Sequence, residues 1–447
     1  MGRQARRETF IHARLHPCAK RIDRASAERH RRAVTERHPA LVDERQALAA
    51  FLDALSGAAH VAIAVEDNGT RTYRPEICLV QVAVMPAGRA EGDLPNLFAL
   101  DPTPFRGARP HPFEALLGRI GPRATLLMHG GDYAVAGLRR DFHLRFARDE
   151  RGEGATPVQP DLPNLVDTQQ AAVLLGLPET GYKSLCRSLL GIDLGAPVSR
   201  NWSERPLPRE AVAGALVGVT HVPRLWAVLA ERIAAKDLRE ELAIASRVVA
   251  RTSERANQPD PGRFRHIEGA STLAGIPRAL LAAVVQWRDA KARAFDCPPG
   301  RVLPNSQLVE LCRAGAQAAD EVSMGGFHSR LLWNDREELR RLIARVIADP
   351  NAAVETPAAP TRATPTAPAR KGAPTAVVRA RTRALKLWRR DEAARREVGL
   401  QAVLPGAALE HLAFFGADVL ATVPQLGPAR IARYGAELTR MCELPGG

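Results

Sequence analysis

Cationic and aromatic side chains gather in a few short stretches of this chain. Arg71, Tyr73 and Arg74 lie together, and Lys183, Arg187, Arg200, Trp202 and Arg205 follow in a later stretch. Residues of these types suit a groove for nucleic acid, where cations neutralise phosphates and aromatic rings stack on bases. A Trp more often packs beneath such a groove than on it, so Trp202 is expected in the core. The whole chain supports a polyanionic partner: 63 Lys and Arg outweigh 49 Asp and Glu, a formal charge of +14. Nucleic acid, RNA or DNA, is therefore the first partner to expect. Further cations sit in a basic arm over the first forty residues, and in two sequences, Arg288 with Lys291 and Arg389 with Arg390 and Arg395. A charge run is also commonly just a solvated face or tail.

Other chemistries are disfavoured. Six cysteines are scattered without a CxxC pair, which argues against a zinc site and a disulfide framework and fits a cytoplasmic location. The basic arm lacks the apolar segment of a secretory signal. A membrane association is not expected, because no apolar run approaches the roughly 20 residues of a span.

The elements that must position these residues change along the sequence. His60–Glu66, Ile77–Val84, part of Leu94–Asp101 and Ala124–Met128 read as buried strands, and Ala134–Asp141, Thr168–Leu175 and Glu210–Val222 read as helices. Interleaved in this way they predict an α/β domain over residues 41–235. A helical connector over 236–280 follows. From about Leu281 no strand pattern remains, and 281–349 and 381–447 read as two helical domains. The Pro-, Ala- and Thr-rich stretch between them, 350–380, reads as a linker.

The two helical domains repeat one another. Trp287 precedes Arg301-Val-Leu-Pro304 at the same spacing by which Trp388 precedes Ala402-Val-Leu-Pro405. The same offset pairs Gly326 with Gly427 and Trp333 with Tyr434. The Trp-led basic helix, the Val-Leu-Pro turn and the late glycine resemble the HRDC module. That resemblance implies weak nucleic-acid binding or partner contacts.

The α/β segment resembles the exonuclease domain of the ribonuclease D family. The resemblance rests on five stretches in order: Arg71–Gln81, Met128–Leu138, Leu165–Gln170, Gly181–Leu194 and Asn201–Leu207. It implies a ribonuclease H-like fold and 3′–5′ hydrolysis of phosphodiesters by two divalent ions about 3.5–4 Å apart. In that family four carboxylates hold the ions, since Mg²⁺ prefers oxygen ligands, and a Tyr or His orients the attacking water. Carried over by the motifs, those positions fall on Ala64, Glu66, Ala134 and Gly218, with Gly214 at the water-orienting place. Glu66 alone is a carboxylate.

The neighbouring acids are poor substitutes. Asp67 should face away from Glu66 on a strand, Asp132 points elsewhere if helical, and Asp167 suits a structural role. The resemblance thus implies an RNA-binding homologue of the exonucleases without a working centre and without a cofactor. If instead the chain is an active exoribonuclease trimming tRNA-like 3′ ends through relocated ligands, Mg²⁺ or Mn²⁺ is required. In a third reading the helical modules form a protein-interaction scaffold.

Overall fold

The computed structural model describes residues 40–89, 93–108, 111–120, 124–144, 164–196, 200–256, 258–315, 330–350 and 373–443. The basic arm, Gly326 and residues 351–372 of the Pro-, Ala- and Thr-rich stretch lie outside the described residues; the end of that stretch, from Thr375, is helix and not linker.

Six strands form one mixed sheet: β1 (Ala40–Val42), β2 (Ala58–Asp67), β3 (Ile77–Pro86), β4 (Asn96–Leu100), β5 (Thr125–Met128) and β6 (Asn164–Asp167), in the spatial order β1-β4-β3-β2-β5-β6. β3 runs antiparallel to both its neighbours, whereas β1 with β4, β2 with β5 and β5 with β6 are parallel. This is the mixed α/β arrangement expected from the interleaved pattern. β1 and β6 were not expected, being too short to show a period of their own.

Strand alternation divides the side chains between two layers. Val61 and Ile63 of β2 join Val80, Val82 and Val84 of β3 in a core with α1 (Arg45–Leu55) and α2 (Asp132–Phe142). The alternate set, Ala62 with Leu79 and Ala83, packs with α5 (Arg209–Thr220) in the opposite layer. α3 (Thr168–Leu174), α4 (Tyr182–Leu190) and α6 (Val222–Ala235) complete the helical side. By composition, Arg209–Ala235 is apolar enough to cross a membrane, against the expectation that no run is long enough, but 61% of its most apolar 18-residue window is buried here, in two core helices meeting at His221.

α7 (Arg239–Ala250) lies within the stretch expected as a connector, yet it packs into the α/β domain. Val249 and Ala250 enter the first core, and Ser246 Oγ accepts the Asp167 backbone N–H at 3.1 Å. The two helical units then share one element order. The first has α8 (Ile276–Phe295), the short α9 (Pro299–Val302), α10 (Asn305–Ala314) and α11 (Trp333–Ala348). The second has α12 (Thr375–Arg396), the short α13 (Leu400–Val403), α14 (Gly406–Phe415) and α15 (Gly427–Glu443).

One anchor of the repeat fails in three dimensions. Trp333 is 66% exposed, whereas Tyr434, its partner by offset, is 3% exposed and packs edge-on against Trp388. In burial, Leu339 and Ile343 of α11 correspond instead to Leu438 and Cys442 of α15. The last helices are thus two residues out of step with the offset that relates the earlier turns.

The second unit is fused to the α/β domain. Its Leu385, Leu409 and Leu438 share a core with Leu174, Leu225 and Leu242. Gly399 donates to the Leu174 carbonyl at 2.7 Å, and a Cβ at Gly399 would run into the Val173 carbonyl oxygen. Glycine is required there because two backbones meet. Arg433 adds bonds to Asp237 (2.7 Å) and Glu241 (3.0 Å).

Candidate active-site cleft

β2, β3 and α5 assemble the cleft. Ala64 and Glu66 follow Ala62 on the α5 face of β2, and Gln81 of β3 stands opposite Ala64 on the same face. Gly214 and Gly218 lie one turn apart on α5. A Cβ at Gly218 would sit 2.8 Å from Gln81 Oε1, so Gln81 reaches into the space that a side chain at 218 would take. Ala64, Glu66, Gln81 and Gly218 are thereby brought together. Ala134, near the start of α2, is buried in the core that α1 and α2 share with the sheet.

Glu66 is the one carboxylate at the four transferred positions. Its Oε1 accepts a 3.1 Å hydrogen bond from Gln81 Nε2. Burial pushes its carboxyl up to about 7, the Gln81 bond opposing this and the charge of Asp67 adding to it. At neutral pH Glu66 is therefore divided between the neutral acid and the carboxylate. Gln81 Oε1 is buried with no hydrogen-bond partner, so a protonated Glu66 would offer a donor beside an acceptor that lacks one.

The neighbouring acids have other tasks. A register shift between Glu66 and Asp67 ends the regular alternation of β2. Asp67 accepts from Gly69 N at 2.9 Å and from the Tyr133 hydroxyl of α2. Asp132 is exposed on the first turn of α2. Asp167 is wholly buried and accepts backbone N–H groups of Gly130, Gly131, Gln169 and Gln170, capping α3 and tying the turn after β5 to it. Its four backbone donors leave it a structural part.

These residues do not fit a pair of divalent ions. Mg²⁺ takes near-octahedral oxygen coordination, usually with carboxylate ligands. The cleft supplies one carboxyl, part-neutral at pH 7 and with one of its two oxygens met by an amide N–H. Among the described residues no group of three or more His, Cys, Asp or Glu is placed to hold a metal.

The residues expected to line a nucleic-acid groove separate into two sets. Arg71, Arg74 and Lys183 are exposed and form no ion pair among the described residues. Arg187 is about half exposed and only loosely paired with Asp193, at 3.5 Å. The others are corrected by their partners. Tyr73 is 6% exposed: its hydroxyl donates to Asp289 (2.7 Å) and accepts from Arg293 (3.0 Å), and its backbone N–H donates to Asp296. It bolts the β2–β3 loop to α8 and has no face for a base. Arg205 is held by Asp101 at 2.6 and 2.7 Å and by the Cys78 and Trp202 carbonyls. Arg200 lies over Trp202, 5.6 Å from the ring centroid, and Trp202 is itself buried, as expected.

In the helical units, Arg288 is buried and donates to the Leu303 carbonyl and Asn305, while its repeat partner Arg389 donates to the Leu400 carbonyl. Both brace the turn into the next helix. Lys291 is closed in by Asp335 and Glu338, Arg390 pairs with Asp391, and Arg395 makes two bonds to Glu392. Spacing alone did not reveal these partners. The signal for Arg390 and Arg395 was present in the adjacent acids; for Tyr73 and Arg205 the partners lie in distant segments.

Comparison with known proteins agrees with this architecture. A 3′-5′ exonuclease model matches residues 39–233 and an HRDC domain model matches 278–332. Ribonuclease D of Acidiphilium cryptum is 30% identical over 339 residues, covering 72% of this chain and 76% of that protein. Ribonuclease D of Zymomonas mobilis is 29% identical, over 67% and 70% of the two chains. The crystal structure of Escherichia coli RNase D matches with a TM-score of 0.58 at 20% identity, covering 90% of this chain and 98% of that one. A Bifidobacterium adolescentis protein matches at 0.62 and 18%, over 92% and 98%. The mixed sheet, the order of the motifs and these relatives together make the chain a member of the ribonuclease D family, with a 3′–5′ exonuclease domain followed by an HRDC domain.

Proposed function

We propose that this chain is a ribonuclease D-type RNA-binding protein whose exonuclease cleft does not hydrolyse RNA, and whose second helical unit is a further HRDC-type module. The observation that carries the reading is the set Ala64, Glu66, Ala134 and Gly218, one carboxyl where two-ion hydrolysis needs four, with that carboxyl hydrogen-bonded to Gln81. An isolated Glu neither positions two ions nor activates water between them. Arg71, Arg74 and Lys183 remain open for phosphates near the cleft.

A second reading has one observation in its favour. The irregularity after Glu66 frees Asp67 from strict alternation, and its charge is felt at Glu66. An exoribonuclease using Glu66 and Asp67, like its relatives named ribonuclease D, is the alternative.

The deciding experiment incubates 5′-labelled RNA with the purified chain and Mg²⁺ or Mn²⁺ on a denaturing gel, beside a binding titration. Intact RNA with salt-sensitive binding is expected. Metal-dependent shortening from the 3′ end, lost in Glu66→Gln, overturns the proposal in favour of the alternative.

A further inference from the structure

The two helical units are built alike but carry their cations differently. In the first unit three of the four cations of the leading helix are spent on structure, Arg278 near its start being exposed. Arg288 is buried on a carbonyl, Lys291 is enclosed by two acids, and Arg293 lies over Tyr73 and bonds its hydroxyl. That helix is a fastening between the unit and the exonuclease domain.

The leading helix of the second unit is different in its first four turns. From Thr375 to Arg390 it carries Arg379, Arg381, Arg383, Lys386, Arg389 and Arg390 and no acid. Arg379, Arg383, Lys386 and Arg390 recur at intervals of four, three and four residues, which places them on one face. All four are exposed. Arg390 meets the first acid of the helix, Asp391, while the Arg379, Arg383 and Lys386 side chains make no ion pair or hydrogen bond among the described residues. The opposite face holds the helix in place through buried Leu385 and partly buried Val378 and Trp388.

Stability of the helix does not account for this stripe. Like charges four residues apart repel, and cations toward a helix N-terminus oppose the helix dipole. α11 shows the alternative within the same chain, where Glu337 neutralises Arg340 and Arg341. At 1.5 Å rise per residue, successive cations of the stripe stand roughly 4.5–6 Å apart along the axis. A row of cations at that interval suits an extended phosphate backbone, and counterion release favours the contact.

We infer that the exposed stripe Arg379, Arg383 and Lys386 is the principal phosphate-binding surface of the helical region, and that single-stranded RNA runs along it. The inference rests on the reading of the chain as an RNA-binding protein and gives that reading a surface. It moves the contact away from Arg389 and Arg395, which serve the fold, and places the row of free cations in the second unit.

The test measures fluorescence anisotropy of a fluorescein-labelled 20-nucleotide single-stranded RNA with the full chain at salt concentrations from 50 to 300 mM. Wild type is compared with R379A/R383A/K386A and with R340A/R341A as the control, two surface arginines of α11 paired with Glu337. Loss of three phosphate contacts should make the slope of log affinity against log salt shallower by about 2, with binding at least about tenfold weaker at 50 mM. The control pair should change the slope by less than half as much. Circular dichroism of the triple variant should match wild type, since no side-chain contact is removed. A triple variant with unchanged slope, while wild type binds, overturns the inference and leaves the RNA-binding reading standing. An equal effect from R340A/R341A also overturns it, the loss being then one of general charge. Absence of wild-type binding at 50 mM overturns both.

Discussion

Replacing Glu66 with Gln tests the electrostatic account of the cleft. In a metal-dependent centre this substitution removes a ligand and costs the protein its ion. Here it removes an acid that burial holds in the neutral form until about pH 7, against an ordinary value of 4.5. Below pH 4.5 the carboxyl is protonated in both folded and unfolded chains, and its ionisation contributes nothing. Between 4.5 and 7 the unfolded chain releases the proton while the folded chain keeps it, so wild-type stability falls as pH rises. Above 7 both are ionised and the penalty is constant. The interval corresponds to roughly 3 kcal/mol at 1.36 kcal/mol per pH unit. Partial solvent access of Glu66 returns some of this, so about 1–3 kcal/mol is expected. The Gln amide keeps an acceptor for Gln81 Nε2 and adds a donor for its unpartnered Oε1. Urea unfolding of wild type and E66Q from pH 4 to 9 should therefore show a stabilising difference that grows from pH 4.5 and levels off above 7. A difference independent of pH refutes the reasoning, as does a variant less stable than wild type at pH 8. Mg²⁺ that stabilises wild type at pH 8 but not E66Q would show an ion held by Glu66 and refute it differently.

Two further substitutions test how the parts are held. Gly399→Val should part the second unit from α3, because the side chain meets the Val173 carbonyl; a rise in protease sensitivity between the domains and a loss of about 2 kcal/mol or more are expected from the overpacking. Asp101→Asn leaves Arg205 without its carboxylate in a half-buried site and should cost about 3 kcal/mol in urea unfolding at pH 7. The Arg205 partner holds Asp101 below the ordinary carboxylate range despite its burial, so the deficit of the variant should shrink as pH falls through that depressed value. A deficit that stays constant down to pH 2 would show that the charge pair is not its source.

What could be read from the residue order follows what each signal depends on. β2 and β3 announce themselves because a buried strand needs a continuous apolar run, and Ile77–Val84 is one. The resemblance carries the family's positions to Ala64, Glu66, Ala134, Gly214 and Gly218; spacing adds only that Ala64 and Glu66 share a face of β2 and that Gly214 and Gly218 lie one turn apart on α5. The paired helical units were likewise visible, because repetition is a property of order alone.

Partnership was not visible. Tyr73 looks like a stacking residue until the fold sets Asp289 beside it, more than two hundred positions away, and Arg205 looks like a phosphate contact until Asp101 closes on it. Which cation is spent and which is free depends on tertiary contacts that no local window contains. The same reason misplaced the last repeat anchor: an offset carried from one turn to a later helix ignores a two-residue shift that only core burial at Leu339 and Leu438 exposes. β1 and β6 are too short for periodicity, and their pairing is decided by β4 and β5 beside them. Local order therefore determined the architecture. Only the packed structure decided which side chains remain free to meet a ligand, because the partners that occupy the others are brought together by the fold.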